Sequence, residues 1–341
     1  MLTIREDLPE GLLQAPVTAL QDLLGGPTRI HLPGRRPEPL FLSVLLHGNE
    51  DTGYYAAQSL LREHHTRELP RALSVFIANV AAARLGLRRL DGQVDYNRIW
   101  PGCDKSMDTP EHAMMARVVD EMRRRKVFAS VDVHNNTGIN PHYGCVNRLD
   151  HRFIRLAAMF SRTVVYFTRP SGVQSMAFAS LCPAVTVECG KAGQALGVEH
   201  AREFLEGCLH LSAIPDHPMP AHDVDLFHTV AIVKVPDGCR FGFGETPAHI
   251  RFVDELDRLN FRELPEDTLL GWADGECDPW LEAWDEQGRE VGERYFRVED
   301  GELRTIRPVM PSMFTLDERI IRQDCLGYLL ERLPLEAVGR T

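Results

Sequence analysis

The chain has no cysteine pair at metal-binding spacing. Its eight cysteines stand scattered at 103, 145, 182, 189, 208, 239, 277 and 325, with no CxxC among them. That argues against a thiolate zinc site and against a disulfide framework, so reduced thiols are expected. Long apolar runs are missing too: LFLSVLL at 40–46 is far short of the roughly 20 residues a membrane helix needs, and no membrane partner is expected. Nor is there any excess of basic residues. Lys plus Arg number 38 against 49 Asp plus Glu, a formal charge of -11. Such a chain repels phosphate backbones, which excludes nucleic acid from the expected partners. The opening residues MLTIREDLPE lack the basic-then-apolar pattern of a secretory leader, and with the cysteines this gives a cytoplasmic expectation. No repeat or low-complexity stretch is present.

What is there is an ordinary globular mix, 44% hydrophobic and 26% charged over 341 residues, enough for a sizeable core. Apolar β-rich runs at 28–34, 40–46, 72–80, 128–134, 162–168 and 184–188 alternate with helical periodicity at 50–65, 109–125, 151–160 and 198–213. Thr109 is a ready N-cap, Pro110 sits at the first helical position, and three arginines close that helix's last turn. The alternation predicts an α/β sheet covered by helices on both faces. Three prolines within IPDHPMPAHD (214–223) end the helical pattern. Short strands at 228–235 and 294–309 follow, with turn signals between them. We therefore expect a larger α/β domain at 1–215 and a smaller β-rich domain at 222–341.

Three motifs lie at the ends of predicted strands, where open α/β sheets bind ligands. HGNE (47–50) leaves the first of them. His47 and Glu50 can turn back onto one point, and imidazole plus carboxylate suit zinc. Alone, HxxE reads equally well as a loop histidine beside a helix-opening acid. SVDVHNNTG (130–138) places His134 at the end of an apolar strand with Asp132 on the same face. A strand histidine is more often a hydrogen-bonded core residue, but the polar Asn135, Asn136 and Thr137 that follow suit a site rim. His47, Glu50 and His134 together make the two-histidine, one-carboxylate set of catalytic zinc, with a fourth position left for water. AVTVECG (184–190) ends on Glu188, either a general base or a strand-end acid paired with an arginine. A fourth motif, DYNR (95–98), pairs an amide with a guanidinium able to grip a carboxylate, though alone it reads as a solvated surface pair.

HGNE, DYNR, DVHNNTG and VECG, in this order and at these separations, resemble the succinylglutamate desuccinylase/aspartoacylase family of the zinc carboxypeptidase-like clan. The resemblance covers about residues 40–195. It implies a zinc-carboxypeptidase-like mixed sheet with a smaller β-rich domain narrowing the site. It implies one zinc ion on His47, Glu50 and His134, Glu188 as general base, and Asp95 orienting a ligand histidine. It implies Asn97 and Arg98 on a substrate carboxylate, and an arginine before DYNR polarising the scissile carbonyl. Arg88 and Arg89 both compete for that role, and Arg89 is preferred here. The family's aspartoacylase branch carries a substrate-reading arginine about ten residues before the catalytic glutamate; here that position is Phe178, which would favour a more apolar group. The expected activity is amide hydrolysis of a small N-acyl amino acid or related carboxylate-bearing compound. A metallocarboxypeptidase for short peptides, a deacylase or esterase for other acyl groups, and a non-catalytic metal-bearing module are the alternatives.

Overall fold

The computed structural model of the chain describes residues 1–104, 109–274, 277 and 280–339. Its first nine strands are β1 Thr3–Arg5, β2 Thr28–Leu32, β3 Gly34–Val44, β4 Leu69–Ile77, β5 Ala129–Asn136, β6 Tyr143–Val146, β7 Thr163–Tyr166, β8 Ala184–Lys191 and β9 Asp225–Lys234. Then come β10 Phe241–Phe243, β11 Ile250–Phe252, β12 Leu269–Ala273, β13 Glu282–Trp284, β14 Phe296–Glu299, β15 Glu302–Thr305, β16 Met310–Ser312 and β17 Gly327–Arg332. Twelve strands form one sheet in the order β1-β2-β4-β3-β5-β8-β6-β7-β9-β17-β16, with β13 added against β9. Its centre, β4-β3-β5-β8, is parallel, and β6 turns antiparallel against β8, which makes the sheet mixed. A second sheet of five strands, β10-β11-β12-β15-β14, stands in the C-terminal region.

The helices are α1 Leu20–Leu24, α2 Thr52–Glu63, α3 Val80–Ala83, α4 Pro110–Arg124, α5 His151–Phe160, α6 Gln174–Phe178, α7 Ala195–His210 and α8 Glu318–Gln323. Alternation along β5 shows which face each covers. Gly53 of α2 packs against Val133, whereas Gln174 of α6 donates its amide to Ser130 Oγ at 2.6 Å. Helices therefore lie on both faces, as the apolar runs of β3, β5 and β8 require. The N-cap expectation for α4 is met: Thr109 Oγ1 accepts the His112 N–H at 3.4 Å. The short strands expected over 294–309 form a hairpin, β14 and β15, followed by β16. The turn falls at Asp300 (φ 51°) and Gly301 (φ 77°), within the EDG signal.

Neither helix nor strand occupies 211–224, the proline-rich stretch. Beyond it the chain returns to the large sheet. β9 lies parallel to β7, and β17 and β16 extend the sheet further. Residues after 222 thus supply four strands of the central sheet and all of the second one. One apolar cluster joins Tyr143, Cys145 and Val165 to Phe227, Met310 and Leu330 across that stretch. The expectation of reduced thiols needs a correction: Cys239 and Cys277 form a disulfide, their Cα atoms 5.8 Å apart. Their separation of 38 residues is closed by the pairing of β10, β11 and β12, which no cysteine spacing reveals. Among the described residues, no helix is long and apolar enough to cross a membrane.

Candidate metal and substrate site

β3 delivers His47. After Val44 the backbone of Leu45 takes a left-handed turn (φ 58°), and the chain bends out of the strand. Gly48 then passes so close to α3 that a Cβ there would meet Ala83 N at 2.3 Å, so the turn admits only glycine. Its N–H is held by the Arg88 carbonyl at 3.0 Å, which ties the segment before DYNR to the HGNE loop.

The result is a cluster of three buried side chains from distant segments, His47, Glu50 and His134, whose ligand atoms all lie within 4.8 Å of one another. His47 Nδ1 is 2.8 Å from Glu50 Oε1, and His134 Nδ1 is 2.6 Å from Glu50 Oε2. Each ring has its other nitrogen against a second carboxylate: His47 Nε2 lies 3.1 Å from Asp95 and His134 Nε2 lies 2.8 Å from Asp132. Carboxylates thus face both nitrogens of each ring; with a cation held by the two Nδ1 atoms and Glu50, Asp95 and Asp132 would take the Nε2–H protons, the arrangement metal-binding histidines adopt. Burial pushes the Glu50 carboxyl up, but the two imidazoles prevail and hold it below its ordinary range. For His134, burial pulls downward and is outweighed by Asp132 and Glu50, so the ring binds a proton more tightly than usual. Negative charge around two imidazoles, in a buried pocket, is chemistry that suits a divalent ion.

Glu188 stands beside this cluster. The β5–β8 register sets it opposite His134, so both side chains share one sheet face. It is 5% exposed, and burial pushes its carboxyl up to about 7. Asn136 Nδ2 donates to Glu188 Oε2 at 2.5 Å. A carboxyl so poised exchanges a proton near neutral pH.

The arginine before DYNR that reaches the site is Arg88. Its guanidinium donates to Asp95 at 3.2 Å and to Asp324 at 3.0 Å and lies 3.7 Å from Glu50. The preference for Arg89 is therefore corrected: Arg89 donates to the Gln93 carbonyl at 2.7 Å and does not line the cavity. Phe178 also needs correcting. It is fully buried, stacked on Phe41 with centroids 4.4 Å apart, and faces Trp100 rather than the cavity. Its place in α6, which packs on β5 and β8, turns it into the core. Asn97 and Arg98 do reach the cavity; Asn97 Nδ2 is 3.3 Å from His134 Nε2, and Arg98 pairs with Asp324 at 2.9 Å.

His47, Glu50, His134, Glu188, Arg88, Asn97 and Arg98 line one open cleft. The C-terminal region adds Ser312, Met313, Ile320, Asp324 and Tyr328 to its wall. None of these was found by reading the sequence, since nothing marks their segments as site-bearing. Tyr143 was likewise missed, although it pairs with Glu188 in the β6–β8 register.

The catalytic-domain model of the succinylglutamate desuccinylase/aspartoacylase family matches residues 38–214. No curated protein sequence matches the chain. Among solved structures, the succinylglutamate desuccinylase of Chromobacterium violaceum is similar at 18% identity, TM-score 0.56, covering 88% of this chain and 86% of that one. Murine aminoacylase 3 is similar at 15% identity, TM-score 0.57, covering 88% and 96%. The product-bound ectoine utilization protein EutE (DoeB) of Ruegeria pomeroyi is similar at 15% identity, TM-score 0.53, covering 89% and 83%. At such identities these structures speak to the fold alone. The family match, spanning more than half of the residues and carrying all four motifs, shows that the chain belongs to the succinylglutamate desuccinylase/aspartoacylase family.

Proposed function

We propose that the chain is a zinc-dependent amidohydrolase that removes the acyl group from a small N-acylated amino acid or related compound. The observation that carries this reading is the Glu50 carboxylate set between two imidazole Nδ1 atoms, each ring backed by its own carboxylate, with Glu188 opposite on the same sheet face. His47, Glu50 and His134 would hold one zinc ion, which supplies an acidified water and a polarised carbonyl when bound.

The chain's own residues do the rest. Asp95 and Asp132 accept the Nε2–H protons of the two histidines and keep both rings oriented. Glu188 takes the water proton on its carboxylate and returns it to the leaving nitrogen, while Asn136 holds that carboxylate in place. Arg88 offers guanidinium N–H groups to the developing oxyanion, a role worth about 3–4 kcal/mol for a well-placed donor. Asn97 and Arg98 grip a substrate carboxylate, and Arg98 shares its charge with Asp324 in doing so. Metal analysis of the purified protein beside His47→Ala, with hydrolysis of an N-acetyl amino acid panel and of short peptides, tests the reading. Stoichiometric zinc lost in the variant and deacylation of the small compounds are expected. A metal-free native protein, or turnover confined to peptides, would overturn it.

A further inference from the structure

The cleft continues past Glu188 along the same face of the sheet. Register carries the face across from β8 to β6 to β7 to β9: Cys145 lies beside Thr186, Val165 beside Cys145, and Phe227 beside Val165. Two-residue alternation then brings Phe167 and Thr229 onto that face, and all but Phe227 line the cleft. Met313 closes over them from the C-terminal region. This floor contains no ionised side chain. Burial pushes the Cys145 thiol well above its ordinary value and Glu188 adds to the shift, so it stays neutral.

The cations at the rim are already answered by the protein. Among the described residues, three arginines line the cleft. Arg88 is paired with Asp95 and Asp324 and Arg169 with Asp104, while Arg98, paired with Asp324, is taken up by the one substrate carboxylate it grips in the deacylase reading. A second carboxylate, laid over the floor, would lose its hydration and meet no cation among the floor residues in return, which is strongly unfavourable. An aliphatic or aromatic group there gains by leaving water.

We propose that this floor is a subsite for an uncharged, mainly apolar substrate group, and that the chain accordingly discriminates against acidic N-acyl compounds. The inference rests on the deacylase reading and names the substrate class within it. Two matched pairs test it on the zinc-loaded full chain: N-acetyl-L-leucine against N-acetyl-L-aspartate for the side chain, and N-butanoyl-L-leucine against N-succinyl-L-leucine for the acyl group. The neutral member should lead by at least about tenfold in kcat/KM in one pair or both, and the charged member in neither. Calorimetric binding of the same pairs to zinc-loaded Glu188→Gln reads the preference without turnover. Absent hydrolysis with neutral-selective binding would sink the deacylase reading and leave the subsite standing. Equal or acid-selective behaviour, or no binding of either pair, overturns the subsite. Phe167→Arg, at a half-buried position on the floor, should shift the neutral-to-charged ratio about tenfold or more towards the charged member. An unchanged ratio in a folded variant also counts against the subsite.

Discussion

Glu188 shows how one buried carboxyl links stability to reactivity. Its folded value of about 7 lies above the ordinary 4.5, because burial disfavours the charged form. The folded protein therefore binds this proton more tightly than the unfolded chain does. The resulting stabilisation is complete below about pH 4.5 and is lost as pH rises through 7, amounting to about 3 kcal/mol. In metal-free protein, denaturant unfolding at pH 5 and pH 8 should show this loss in the wild type and not in Glu188→Gln. Parallel behaviour of the two would remove the buried-carboxyl account. The same substitution in zinc-loaded enzyme should lower kcat by about 10²–10⁴, read in a steady-state assay. Asp132 and Asp95 act one bond further out. Asp132→Asn keeps the shape but weakens the acceptor behind His134, so zinc affinity measured by chelator competition should fall about 10–100-fold. These carboxylates were legible in different ways. Asp132 is visible from the two-residue period of its strand, whereas Asp95 is placed by DYNR only through the family likeness. The placing of Arg88 rather than Arg89 at the cleft was not legible, because it depends on the distant Asp324, which Arg88 reaches while Arg89 turns to the Gln93 carbonyl.

At the level of elements, strand ends and helix starts could be read because local chemistry sets them. The prolines, the Thr109 cap and the apolar runs act over a few residues, and the observed α4 and α5 follow them closely. The parts that could not be read depend on distant neighbours. Phe178 reads as a pocket residue when only its spacing from Glu188 is known, but α6 turns it onto Phe41 and Trp100. The Cys239–Cys277 bridge depends on the pairing of three short strands. Gly48 is the local residue with the longest reach. Gly48→Ala would drive a Cβ into the backbone of Ala82 and Ala83, forcing the HGNE loop and α3 apart. We expect a loss of about 1–3 kcal/mol in chemical denaturation, together with reduced zinc content. Full metal loading at wild-type stability would show that the loop tolerates the displacement.

Across the whole molecule, the proline-rich stretch at 211–224 separates two sequence textures without separating two sheets. β9 docks on β7 and carries β17 and β16 with it, so residues after 222 complete the sheet begun by residues before 215. The apolar cluster of Tyr143, Cys145, Val165, Phe227, Met310 and Leu330 is divided evenly between the two sides. Asp324, from the later side, pairs with both Arg88 and Arg98 of the earlier one. A chain ended at residue 215 would expose the apolar face of β6 and β7 and leave β7 as an open edge, a condition that favours aggregation. It would also strip Asp324, Tyr328, Ser312 and Met313 from the cleft. We therefore expect the 1–215 fragment to be insoluble or to unfold well below the full chain, by at least about 3 kcal/mol from the lost burial of Phe227, Met310 and Leu330 alone. Expression of the fragment beside the full chain, followed by thermal unfolding and zinc analysis, decides the matter. A fragment that is stable, monomeric and zinc-loaded would make 1–215 a self-sufficient domain and reduce the C-terminal region to a cover.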